Sequence, residues 1–68
     1  QVKDIYLNQR QVEILRLLAN GLATEEVAQA LDIQLSTVNY HLRTIYQATN
    51  TNNRTTAVYR ALKAGIID

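Results

Sequence analysis

Thr24-Glu25-Glu26-Val27-Ala28-Gln29-Ala30-Leu31-Asp32-Ile33-Gln34-Leu35-Ser36-Thr37-Val38-Asn39-Tyr40-His41-Leu42-Arg43 is the stretch that decides the fold. Val27, Ala28 and Leu31 recur at helical spacing, and Glu25 and Glu26 stand where a helix N-terminus favours negative charge. This predicts a short helix beginning near Ala23 or Thr24. Asp32 then sits where a tight turn forms before Ile33. At about 100° per residue, Val38, Leu42 and the following Ile45 fall within about 60° of one another, which makes them the core stripe of another helix. That helix is expected over about 35–48. Gln34 is a poor cap, so the start can slide toward Ser36.

Upstream, Leu7-Asn8-Gln9-Arg10-Gln11-Val12 carries a strong start signal. Asn8 can cap, Gln11 can complete a capping box, and Leu7 can staple onto Val12. A first helix is expected over about 9–20, with Val12, Leu15, Leu18, Ala19 and Leu22 inward and Gly21 as its left-handed stop. Downstream, Asn50-Thr51-Asn52-Asn53 reads as a polar loop with Asn53 as a cap. A fourth helix follows over about 54–64, ending at Gly65 before Ile66 and Ile67. With no proline and only Gly21 and Gly65 interrupting it, the chain is expected to be all-α, a four-helix bundle.

Sixty-eight residues allow one domain. A chain this short buries only roughly 60% of the surface its unfolded form exposes, leaving little room for a catalytic cleft beside a core. The absence of cysteine excludes disulfides and thiolate metal sites, and the single histidine does not build a zinc site. No paired carboxylates, no nucleophile with a base and no glycine-rich phosphate loop appear, so neither an enzyme nor a bound cofactor or metal is expected. No apolar run reaches the roughly 20 residues that span a bilayer, and Gln1-Val2-Lys3-Asp4 lacks the character of a signal peptide. A cytoplasmic location fits. Because the chain starts without methionine, it is expected to be part of a longer protein, with residues 1–6 a linker remnant.

The net charge of +1 is unevenly spread. Residues 1–32 hold three cations against five carboxylates, whereas residues 33–67 hold Arg43, Arg54, Arg60 and Lys63 with no carboxylate. One half can face a polyanion while the other faces away.

Turning Val38, Leu42 and Ile45 inward leaves Ser36, Tyr40, Arg43, Thr44 and Gln47 outward, with Thr37 and Asn39 on the shoulders. A surface helix is often polar for no reason beyond solvation. The same set also suits a helix in the major groove of DNA, where base edges offer acceptors, donors and thymine methyls. There Arg43 can fork onto guanine, Asn39 can pair with adenine, and Tyr40 can meet a thymine methyl or a phosphate. Ser36 and Thr37 can bond phosphates near the helix start. His41 lies beside the core stripe and is expected to pack or to bond a phosphate.

The order of residues resembles the LuxR-type (GerE-type) helix-turn-helix domain of quorum-sensing regulators and NarL-class response regulators. The matching stretches are Leu7 through Leu15, Ala19-Asn20-Gly21-Leu22, Glu26-Val27-Ala28, Leu31-Asp32-Ile33, Thr37-Val38, His41, Ile45, Asn53-Arg54 and Gly65-Ile66-Ile67. The resemblance implies a domain of 1–68 at the C-terminus of a bacterial transcription regulator, with the motif over 24–43. It implies base reading by Asn39, Tyr40 and Arg43, and backbone contacts from Ser36, Thr37, His41, Thr44, Gln47 and Arg54. The implied partners are double-stranded DNA, a second copy paired through the fourth helix, and RNA polymerase, with no membrane. Ala57, Ala61 and Ala64 at helical spacing would permit that pairing, although such a ridge serves core packing equally well.

Some positions depart from the family pattern. Gln34 stands where a capping serine is usual, Ser36, Asn39 and Ala48 where lysines are common, and Thr49-Asn50-Thr51 where Leu-Gly-Val is usual. Fewer cations mean fewer phosphate contacts and a flatter salt dependence. Two rivals share part of the pattern. Sigma-factor region 4 also binds DNA but usually lacks the Asn53-Arg54 cap and the Gly-Ile-Ile ending. A degenerate helix-turn-helix domain would bind protein instead, through Tyr40, Tyr46 and the fourth helix.

Overall fold

A reciprocal pair of hydrogen bonds opens the first helix. Asn8 Oδ1 accepts from the Gln11 N–H at 2.8 Å, and Gln11 Oε1 accepts from the Asn8 N–H at 2.9 Å. The computed structural model describes residues 5–68, so most of the expected linker lies outside the described residues. Four helices follow in order: α1 (Gln9–Ala19), α2 (Thr24–Leu31), α3 (Leu35–Thr49) and α4 (Arg54–Lys63). No strand occurs among the described residues, and the fold is all-α as expected.

Each start has a local cause. At α2, Ala23 has no side-chain acceptor, but the Glu26 carboxylate accepts from the Ala23 N–H at 2.7 Å. At α4, Asn53 Oδ1 accepts from the Thr56 N–H at 2.9 Å, as its cap role requires. Gln34 makes no capping bond to α3, yet that helix still starts at Leu35 and does not slide to Ser36.

All four ends use one device. A residue with positive φ follows each helix: Gly21 (95°), Asp32 (55°), Asn50 (56°) and Gly65 (77°). Behind each, the next N–H reaches back five residues to a helix carbonyl: Leu22 to Leu17 at 3.2 Å, Ile33 to Ala28 at 3.0 Å, Thr51 to Tyr46 and Ile66 to Ala61 at 2.9 Å. These are Schellman closures, which satisfy carbonyls that helix geometry leaves free. Asp and Asn tolerate the left-handed region better than other residues with a Cβ, and this lets Asp32 make the turn between α2 and α3.

The core is formed by Ile14, Leu15, Leu18, Val27, Ala28, Val38, Leu42, Ile45, Ala57, Ala61 and Ile67. Val38, Leu42 and Ile45 are buried as the wheel required. The α1 stripe is rotated from its expected position: Ile14 is fully buried, whereas Ala19 is exposed at the helix end. Val12, Leu22 and Leu31 pack at the margin of the core. α3 touches each of the other helices, so its orientation is set from several sides. Arg60 adds a clamp: its Nη1 donates to the carbonyls of Thr49 and Asn50, both at 2.9 Å, where α3 ends. A cation at a helix C-terminus is favoured by the dipole as well as by the bonds. Beneath it, the Thr49 hydroxyl is buried and donates to the Ile45 carbonyl at 2.8 Å. Among the described residues, no helix is long and apolar enough to cross a membrane.

Candidate nucleic-acid interface

Burial of one side of α3 presents the other. Ser36, Asn39, Tyr40, Arg43 and Gln47 are all exposed, and they lie on the side turned away from Val38, Leu42 and Ile45. α3 contains no Asp or Glu. The ion pair present among the described residues joins Arg10 to Glu13 at 3.5 Å on α1, so the Arg43 guanidinium has no carboxylate partner there. An uncompensated cation among amide, hydroxyl and phenol groups can approach a polyanion without first breaking a salt bridge.

The start of α3 adds backbone donors to this face. Because Gln34 provides no side-chain cap, the N–H groups of Leu35 and Ser36 are left for an acceptor from outside the protein, whereas those of Thr37 and Val38 already bond the Gln34 carbonyl. The exposed Ser36 hydroxyl stands beside them, with only a long contact of 3.5 Å to Gln34 Oε1.

Other candidates differ in availability. Thr37 is half-buried, and its N–H is taken by the Gln34 carbonyl at 3.0 Å. His41 is half-buried, its Nδ1 is buried without a hydrogen-bond partner, and its ring meets the Tyr40 ring edge-on at 5.7 Å. The Thr44 hydroxyl is committed inside the protein: it donates to the His41 carbonyl at 2.8 Å and accepts from Gln11 Nε2 at 2.6 Å. Arg54 is half-buried and sends Nη1 to the Leu22 carbonyl at 3.4 Å, a long bond that leaves its other donors uncommitted.

The alanine ridge of α4 is core. Ala57 and Ala61 have no exposed surface and Ala64 is half-buried, so a second copy cannot reach the first two without unpacking the bundle. The exposed side of α4 holds instead Tyr59, Leu62 and Lys63, with the Lys63 ammonium 5.9 Å from the Tyr59 ring centroid. The basic half of the chain therefore divides: Arg43 and Lys63 are exposed, while Arg54 and Arg60 are half-buried and bonded to backbone carbonyls.

Two positioning residues had no sequence signal for their roles. Gln11 was legible as half of a capping box, but its second bond crosses to Thr44 on α3. Arg60 was legible only as a charge. A donor for the carbonyls at the end of α3 was to be expected on general grounds, but spacing does not tell which cation supplies it.

The family described as bacterial regulatory proteins, luxR family, matches residues 6–61. The chain is 38% identical over 64 residues to the transcriptional activator protein AnoR of Acinetobacter nosocomialis, covering 94% of this chain and 27% of that protein. It is 40% identical over 58 residues to the uncharacterized transcriptional regulatory protein YxjL of Bacillus subtilis, covering 85% of this chain and 27% of that one. It is 38% identical over 60 residues to the HTH-type transcriptional regulator MalT of Vibrio campbellii, covering 88% of this chain and 7% of that one. The chain thus spans less than a third of the length of each of these relatives.

Proposed function

The chain belongs to the luxR family of bacterial regulatory proteins, and we propose that it is the DNA-binding part of a transcription regulator that reads duplex DNA by laying α3 in the major groove. The observation that carries this is the exposed, carboxylate-free face of α3 with an unpaired Arg43 at its middle. Arg43 would fork onto guanine O6 and N7, Asn39 would pair with adenine, and Tyr40 would pack beside them. Ser36, the uncapped start of α3, Thr37, Gln47 and Arg54 would hold the phosphates that fix the register. His41 would join them through its second ring nitrogen. Thr44 would act from behind, holding α3 against α1 through Gln11.

A single small domain holds DNA weakly, and two copies on a two-fold site multiply affinity through effective concentration. We place that pairing on the exposed Tyr59, Leu62 and Lys63 of α4, because Ala57 and Ala61 are inside the bundle. The full regulator would work in the cytoplasm, with RNA polymerase as a further partner.

The test is selection of binding sites from random duplex DNA, followed by fluorescence anisotropy on the selected site at several salt concentrations. The Arg43→Ala variant is expected to bind the selected site about 1–3 kcal/mol more weakly, with selectivity at one base pair relaxed. Unchanged affinity and selectivity would remove Arg43 from base reading.

A further inference from the structure

Leu35 and Tyr40 are the large apolar side chains that α3 exposes, at 38% and 58% of their full surface. Leu35 opens the helix one turn before Asn39, and Arg43 lies one turn beyond Asn39, so these three form one row. Tyr40 belongs to the neighbouring row that starts at Ser36. On the helical wheel Leu35 and Tyr40 therefore stand on opposite sides of Asn39 and Arg43. The edge-on contact with His41 at 5.7 Å fixes the side on which the Tyr40 ring lies.

A lone exposed apolar side chain is ordinary on a protein surface. Here the two flank the polar readers on a helix with one cation and no carboxylate, and one of them occupies the first turn. In a helix-turn-helix domain the N-terminal residues of the second helix are those that reach base edges. A leucine has no polar atom with which to answer a donor or acceptor there. The apolar group that a major-groove base edge presents is the 5-methyl of thymine.

We propose that Leu35 and Tyr40 are specificity-determining residues that read thymine methyl groups on the two flanks of the row formed by Asn39 and Arg43. The proposal rests on α3 being the groove helix and adds what that helix selects. Methyl contacts would carry an unusual share of the discrimination, because α3 has few charges with which to carry it.

Replacing thymine by deoxyuridine deletes the methyl and leaves every hydrogen-bonding group in place. Fluorescence anisotropy would be measured on the selected duplex with each thymine replaced in turn, using the native chain, Leu35→Ala and Tyr40→Ala. Circular dichroism would confirm that both variants fold, as expected for exposed positions. The native chain is expected to lose about fourfold in affinity at each contacted thymine, the factor corresponding to ~0.8 kcal/mol for one buried carbon. One such loss should vanish in Leu35→Ala and another in Tyr40→Ala. A loss that persists in both variants would overturn the assignment to these residues. Native affinity indifferent to every replacement, with Arg43→Ala still impairing selectivity, would overturn the methyl contacts and leave the groove reading intact. Failure to select any duplex would overturn both.

Discussion

The side-chain amide of Gln11 donates to the Thr44 hydroxyl at 2.6 Å, and the same Gln11 closes the capping box with Asn8 at the start of α1. The cap of the first helix and the middle of the third are thus one hydrogen-bonded unit, 33 residues apart in sequence. Thr44 completes it by donating to the His41 carbonyl. Thr44→Val, which keeps the shape and removes the hydroxyl, is expected to cost about 0.5–1.5 kcal/mol in urea unfolding. Gln11→Ala should cost somewhat more because it also opens the cap. The double variant should fall short of the sum, since the two share one bond. Full additivity would show that the bond contributes nothing.

Arg60 clamps the C-terminal end of α3. Arg60→Ala leaves the Thr49 and Asn50 carbonyls without their donor. The site is half-buried, so water compensates in part, and a loss of about 1–2 kcal/mol is expected. Arg60→Lys should recover only part, because an ammonium lacks the planar fork. Thermal unfolding followed by circular dichroism checks this; an Arg60→Ala midpoint equal to the native one would contradict it.

Arg54 is expected to act differently from Arg43. With one donor on Leu22 and the rest uncommitted, it can hold the α1–α2 turn and touch a phosphate together. Arg54→Ala should weaken binding to the selected site and to random DNA by the same factor, and should reduce the salt slope by about one unit. Anisotropy titrations on both duplexes separate the cases: loss confined to the selected site would make Arg54 a base reader.

Much of the fold was legible because local rules acted alone. Asn8, Gln11 and Asn53 cap through bonds within three residues, and Gly21 and Gly65 stop helices at positive φ. Burying Val38, Leu42 and Ile45 turns Ser36, Tyr40, Arg43 and Gln47 outward as expected, but Thr44, expected with them, is half-buried and bonded to Gln11 and the His41 carbonyl. Periodicity was less able to fix rotation. In α1 both Ile14 and Ala19 neighbour Leu15 and Leu18 on the wheel, and only packing against other helices selected Ile14. In α4 an alanine ridge fits a core and a close helix pair equally well, and the bundle took Ala57 and Ala61. The long-range side-chain bonds of Gln11, Arg54 and Arg60 left no trace in spacing, since they join segments that meet only after folding.

The most direct test of α3 as the groove helix is a proton–nitrogen NMR titration of the isotope-labelled chain with the selected duplex at low ionic strength. Signals of Ser36, Asn39, Tyr40, Arg43 and Gln47 should shift most, with those of the buried Ala57 and Ala61 almost still. Large shifts on α1 or α4 with α3 silent would mean that another surface meets the DNA.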